Sequence, residues 1–289
     1  MKLYGDYHIH SEFSRDAEGT IDEIALSAKE SGLQEIAITD HGCKTWSGVK
    51  PKHYPHIKVL CDKARAEHGI SVLFGVEANV TGSRGQVDIN EEYRRDFDIF
   101  LLGFHTGVWW IGFRPFFTIF LPNLFCRLFR LWPKSRIRKN TEIMKRAIEK
   151  NNVDIWVHPN RYFKLDVVEV ARTCAEMGTL VELNAKGVNY RPVDFERMVA
   201  VGAKFIVSSD AHKPCCVGQV DRVEEFLKNC DYPEEVIVNL HSPFSRPKAG
   251  LIEKALIDEP EQYMQVKEDR QEVKKQRKFL KIIKRKAID

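Results

Sequence analysis

KLYGDYHIH, residues 2–10, is a short apolar and aromatic run that ends on two histidines one residue apart. Its length suits a strand. Strand side chains repeat every two residues, so Asp6, His8 and His10 are expected on one face. There two imidazoles can converge on one cation, with Asp6 placed to orient an imidazole from behind. Six similar runs follow: EIAITD (35–40), SVLFGVE (71–77), DIFLLGF (98–104), VDIWV (153–157), TLVELN (179–184) and KFIVSS (204–209). Helix signals separate them. Thr20 and Glu23 form a capping box for a helix stopped by Gly32. Pro51 opens and Gly69 closes a helix over 51–68, residues 136–150 are charged and amphipathic, 166–177 end at Gly178, and 193–201 lie between Pro192 and Gly202. Alternating strands and helices predict repeated β-α units and a parallel sheet.

Each run ends in residues able to bind a metal or move a proton: His8 and His10, Asp40 and His41, Glu77, His105, His158, Glu182, and Asp210 with His212. Parallel barrels build their active sites at the C-terminal ends of the strands. Asp210 and His212 repeat the i, i+2 spacing of His8 and His10, and Asp16 follows in the loop after the first strand, within reach if that loop folds over the rim. Imidazoles and carboxylates without clustered thiolates suit Zn, Mn or Fe rather than an iron–sulfur cluster. So many donors suit two or three divalent ions, with a carboxylate such as Glu77 bridging.

The set DYHIH (6–10), TDHG (39–42), GVE (75–77), GFH (103–105), HP (158–159) and SSDAH (208–212) resembles the PHP family, the polymerase and histidinol phosphatase domains. The resemblance covers roughly residues 1–240. It implies a distorted seven-stranded (β/α)7 TIM-like barrel with the metal site at the C-terminal ends of its strands, up to three metals, and phosphoester hydrolysis as the usual activity. The matching positions are His8, His10, Asp16, His41, Glu77, His105, His158, Asp210 and His212. The Asp16 position varies between His and Asp among relatives, and its charge favours a harder metal such as Mn or Fe. No member of the metal set is missing. A metal-activated hydroxide attacking phosphorus in line is the expected chemistry, with Asp16, Glu77 and Asp210 as the carboxylates of the catalytic centre. Arg161, in HPNR, is the first candidate for a cation on the phosphoryl oxygens. Lys44, Lys186 and Lys213 follow other rim motifs. Glu182 and Asn184 share one face of the sixth strand behind the metal ligands, and Asp40 is placed to orient its neighbours.

The 289 residues divide into a barrel domain over 1–245, with an insert at 106–135, and a tail over 246–289 expected to be helical. The net charge of +4 is misleading, because residues 264–289 alone carry a net of +6 and leave the body at −2. Such a body lacks the basic footprint of a duplex-binding protein. In the tail, Val266, Val273 and Leu280 recur seven apart on an otherwise charged pattern. Its density of Lys and Arg suits an acidic partner, RNA or a membrane surface. The insert TGVWWIGFRPFFTIFLPNLFCRLFRLWPKS is rich in Trp and Phe, but Arg114, Pro115 and Pro122 interrupt it, which argues against a spanning helix of about 20 residues. It fits a helical excursion packed on the barrel or on a second copy, a lid over the metal site, or an interfacial membrane contact. Seven cysteines without a CxxC pair, and an N-terminus without an apolar leader, point to the cytoplasm.

Three functions fit these features. The first is a phosphatase on a small phosphomonoester, for which histidinol phosphate is the family's precedent. The second is a nucleic-acid or nucleotide phosphoesterase, such as a 5′→3′ exonuclease or a nucleotide bisphosphate phosphatase, favoured by the aromatic insert and basic tail. The third is a non-catalytic, metal-stabilised interaction module. The sequence does not fix the oligomeric state.

Overall fold

The seven expected strands all form: β1 (Gly5–Ile9), β2 (Glu35–Ile38), β3 (Ser71–Asn79), β4 (Ile99–Gly103), β5 (Ile155–Trp156), β6 (Leu180–Asn184) and β7 (Phe205–Ser208). They pair in parallel and in chain order. The structure, a computed structural model, describes residues 1–108 and 113–244. The expectations for the 246–289 tail, and for residues 109–112 of the insert, lie outside the described residues.

Local chemistry sets the helices between the strands. The capping box opens α1 (Ile21–Glu30): the Glu23 amide donates to Thr20 Oγ1 at 3.2 Å, and the Thr20 amide donates to Glu23 Oε2 at 2.7 Å. Helix α2 (Tyr54–His68) ends on Gly69 in the left-handed region, at φ 70°, where a side chain would be strained. The insert contains a turn of π-helix over Phe116–Phe120 and then α3 (Leu121–Leu128), and it leads into α4 (Lys134–Asn151). Beyond these lie α5 (Val167–Met177), α6 (Pro192–Ala200) and α7 (Asp221–Leu227). No helix among the described residues is long and apolar enough to cross a membrane.

The core has two layers. Tyr7, Ala37, Leu101, Ile155, Leu180 and Ile206, all from strands, fill the barrel interior. The alternate strand residues, such as Ile36, Phe74, Leu102 and Val181, pack outward against the helices. Closure between β1 and β7 is not a full ladder. A single bridge joins Ile9 to Ala211, and the seam below it is spanned by Asn239. The Asn239 amide donates to Gly5 O and Val207 O, both at 2.8 Å, and its oxygen accepts from Val207 N at 3.0 Å. One side chain thus satisfies backbone groups that an eighth strand would otherwise pair. The result is a distorted seven-stranded barrel, as the family resemblance implies.

Candidate metal centre

Glu77, at the end of β3, is the hub of the site. Its Oε1 lies 2.6 Å from His158 Nε2, 3.2 Å from His105 Nε2 and 3.5 Å from His8 Nε2. Its Oε2 lies 2.6 Å from His41 Nδ1 and 3.7 Å from His10 Nε2. Asp210 forms a second focus, with Oδ1 3.5 Å from His10 Nε2, 3.5 Å from His212 Nδ1 and 3.8 Å from His8 Nε2. The loop after β1 does fold over the rim and brings Asp16 Oδ2 to 3.3 Å from His41 Nε2 and 3.9 Å from His212 Nε2. All nine positions named from the sequence are therefore together, although they come from residues 8 to 212. The strained backbone at two of them, His158 at φ 32° and Asp210 at φ 54°, is held where strain is tolerated for function.

A layer of buried polar groups aims these side chains. Glu182 Oε1 accepts from His8 Nδ1 at 2.6 Å, while its Oε2 accepts from His158 N at 2.5 Å and Asn184 Nδ2 at 3.0 Å. Glu182 engages Nδ1 of His8, so the Nε2 that faces Glu77 and Asp210 is the nitrogen left for a metal to take in place of a proton. Asn79 Oδ1 does the same for His105 Nδ1. Asp40 accepts from Ser11 N, Ser11 Oγ and Ser14 Oγ at 2.8, 2.6 and 2.7 Å, and so pins the loop that carries Asp16. The glycine of GFH also has a physical reason: a methyl group on Gly103 would stand 2.8 Å from Cε1 of both His105 and His158.

Asp6 departs from expectation. It orients no imidazole; its carboxylate accepts from Ser209 N at 3.1 Å and Gly218 N at 3.0 Å, tying β1 to the end of β7. The cause is an irregularity in β1, where the register with β2 shifts between Asp6 and Ile9. Tyr7 lies in the barrel interior and Ile9 in the outer layer, although an unbroken strand would put both on one face. Glu182 takes the role expected of Asp6. The sequence placed Glu182 on the right face of β6, but nothing local linked it to a histidine 174 residues away.

The electrostatics favour added positive charge. Burial works against ionised Glu77, yet His105, His8 and His41 hold its carboxyl well below the usual range. Burial likewise opposes ionised Asp210, and His8, His10 and Lys186 outweigh it. Burial pushes His10 well down and His105 down to about 4, which leaves both neutral, the form that binds metal. His41 is also desolvated, but Glu77 and Asp16 drive it up to about 10. Five buried atoms here have no aligned hydrogen-bond partner: His8 Nε2, His10 Nδ1 and Nε2, His41 Nδ1 and Glu77 Oε2. Buried polar atoms are rarely left so, and all five are metal-donor types. Within this centre donor atoms fall into three groups, each within 4.8 Å of one another: His10, His41 and His212; His8, His10 and Asp210; His41, Glu77 and His105. These residues fit divalent cations.

Two cations stand at the mouth. Lys186 Nζ is 3.0 Å from Asp210 Oδ1 and 2.7 Å from His212 Nδ1, and Arg161 reaches Asp210 Oδ2 at 3.8 Å. Lys186, ranked behind Arg161 from the sequence, is the nearer. Lys213 turns outward to Glu18 at 3.1 Å, and Lys44 lines a separate cleft.

The comparisons with known proteins agree with this architecture. The PHP domain model matches residues 6–280. The chain is similar to a probable phosphatase of Shewanella loihica, 30% identical over 252 residues that cover 84% of this chain and 91% of that protein. It is similar to a probable phosphatase of Acetivibrio thermocellus, 30% identical over 247 residues, 83% of this chain and 92% of that one. The fold is like that of histidinol phosphate phosphatase from Lactococcus lactis, solved with zinc, L-histidinol and phosphate. That match has a TM-score of 0.52 at 16% identity and covers 81% of this chain and 95% of that one. With its barrel, its strand-end motifs and a family match over nearly its whole length, the chain belongs to the PHP domain family.

Proposed function

We propose that this protein is a metal-dependent phosphatase that hydrolyses a small phosphomonoester. The observation that carries the reading is the convergence of six histidines on the buried carboxylates of Glu77 and Asp210, with Asp16 against His41 and with Lys186 and Arg161 beside Asp210. His8, His10, Asp16, His41, Glu77, His105, His158, Asp210 and His212 would hold two or three divalent ions, of Mn, Zn or Fe, with Glu77 at the centre of the donor set. Bound there, such ions acidify water and neutralise charge on the phosphoryl group. Lys186 and Arg161 bind the non-bridging oxygens, where charge must be held as the ester bond breaks. Asp210 keeps both cations at the rim, and Glu182 and Asn79 fix the tautomers of His8 and His105. The half-buried ring of Tyr162, 5.1 Å from that of His105 and 5.6 Å from that of His158, walls the mouth.

The test is hydrolysis of a panel that pairs small phosphomonoesters with 5′-phosphorylated oligonucleotides and nucleotide bisphosphates, using metal-reconstituted protein. The expected result is turnover of small monoesters, with KM raised by Arg161→Ala and Lys186→Ala while metal content is unchanged. Turnover of oligonucleotides alone would replace this reading with the nuclease one.

A further inference from the structure

Among the described residues thirteen large apolar side chains are exposed, and eight of them lie between residues 113 and 131. They include Phe113, Leu124, Phe125, Leu128, Phe129 and Leu131, with Leu128 71% and Phe129 61% exposed. Monomeric proteins rarely leave so much apolar surface in one place without use. The segment is nonetheless anchored. Ile119, Phe120 and Asn123 are buried, and Asn123 exchanges two hydrogen bonds with Asn140 of α4, at 3.0 and 2.7 Å. Asn140 donates onward to Lys164 O at 2.8 Å, and Arg136 donates to Thr118 O at 3.0 Å. One face is docked on the barrel and the other is held out to solvent.

The charge of this region is one-sided. Between residues 99 and 141 there are seven Lys/Arg and no Asp/Glu. A cleft of about 330 Å³ beside the segment is lined by Arg114, Arg136, Arg138, Lys139 and Arg146, with Glu142 as its sole acid. We propose that this face docks the protein on an anionic lipid bilayer, with Phe and Leu side chains entering the acyl boundary and the Arg/Lys set meeting headgroup phosphates. Other occupants fit worse. A second copy would set seven like charges against seven. The chain's own 264–289 stretch carries +6 and has the wrong sign to cover it. A polynucleotide would match the charge but offers nothing to Leu124, Leu128 and Leu131, which have no ring to stack on bases. The docked face adjoins the metal rim, because the Arg127 guanidinium lies 5.1 Å over the Tyr162 ring that borders His105 and His158.

The experiment is co-sedimentation of the full chain with vesicles of phosphatidylcholine, alone or with about one third phosphatidylglycerol. Wild type is compared with the double variant Leu128→Glu, Phe129→Glu. Wild type is expected to partition at least roughly tenfold better onto the anionic vesicles, and the double variant to lose roughly tenfold or more of that binding. Its thermal melt should be unchanged, because both side chains are exposed. Leu131→Glu repeats the test if the double variant does not fold. Equal binding by variant and wild type would overturn the proposal and move membrane affinity to the basic tail. Absence of wild-type binding to either vesicle would also overturn it, and self-association abolished by the variant would then assign the face to a second copy.

Discussion

Glu182→Gln is a nearly isosteric change that sets the tautomer of His8 against the hydrogen bonds of the neighbouring strand end. Glu182 accepts on both oxygens: from His8 Nδ1 at 2.6 Å on one, and from His158 N at 2.5 Å and Asn184 Nδ2 at 3.0 Å on the other. Glutamine has one oxygen and one NH2. If the oxygen faces His8, the NH2 opposes two buried donors, at a cost of about 1–3 kcal/mol each. If the NH2 faces His8, its Nδ1 must accept and the proton moves to Nε2, the atom aimed at Glu77 and Asp210. The second arrangement is cheaper, and it removes the lone pair that would bind a metal. Loss of such an orienting partner lowers metal affinity roughly 10–100-fold, or about 1.4–2.8 kcal/mol. Competition against a chelator should show that loss, with hydrolysis at limiting metal falling in parallel and recovering in part at saturating metal. Metal affinity and kcat/KM within about twofold of wild type in a folded Glu182→Gln protein would refute the tautomer argument.

Three further outcomes follow from the same structure. Gly103→Ala adds a methyl 2.8 Å from both His105 and His158 Cε1, so the imidazoles must shift. Overpacking should cost about 1–3 kcal/mol in a melt and lower metal affinity, whereas an unchanged affinity would contradict the placement. Asn123→Leu leaves the buried Asn140 amide short of a partner and should destabilise the protein by about 1–3 kcal/mol in urea unfolding, and no loss would show that the pair does not anchor the insert. Burial pushes the Asp88 carboxyl up to about 6, against hydrogen bonds from Asn79 and from the Lys44 amide. A carboxyl raised in the folded state adds stability that is complete below its ordinary 3.8 and lost as pH rises through about 6. The advantage of wild type over Asp88→Asn should therefore shrink by up to about 3 kcal/mol from pH ~4 to ~7; a difference independent of pH would contradict this.

The strands and the meeting of their terminal donor residues were legible because their signals are local. HIH, TDHG, GFH and SSDAH each sit at the end of an apolar run, and a parallel barrel brings all such ends to one rim. The Thr20–Glu23 capping box and the stop at Gly69 were local in the same way. Features that depend on the closed barrel were not legible. The irregularity that turns Asp6 away from the imidazoles arises from pairing with β2, and period-two counting does not register it. The links from Glu182 to His8 and from Asn79 to His105 span 174 and 26 residues. Lys186 lies nearer Asp210 than Arg161 does because of the path of the loop after β6. In the insert, composition leaves packing on the barrel, a lid and a membrane contact all open, because it is the Asn123–Asn140 pair that docks one face and leaves Phe and Leu outside.

The most direct test of the metal-phosphatase account is a single titration. The purified protein is stripped with a chelator, and a divalent ion is added back while bound metal and hydrolysis of a small phosphomonoester are followed together, with His10→Ala alongside. His10 shares two of the three donor groups, so its loss should remove both bound metal and turnover. The account predicts hydrolysis that rises with occupancy to two or three ions per chain in wild type and is absent in His10→Ala. Metal bound at that stoichiometry with no phosphoester turned over, or turnover that survives stripping, would contradict it.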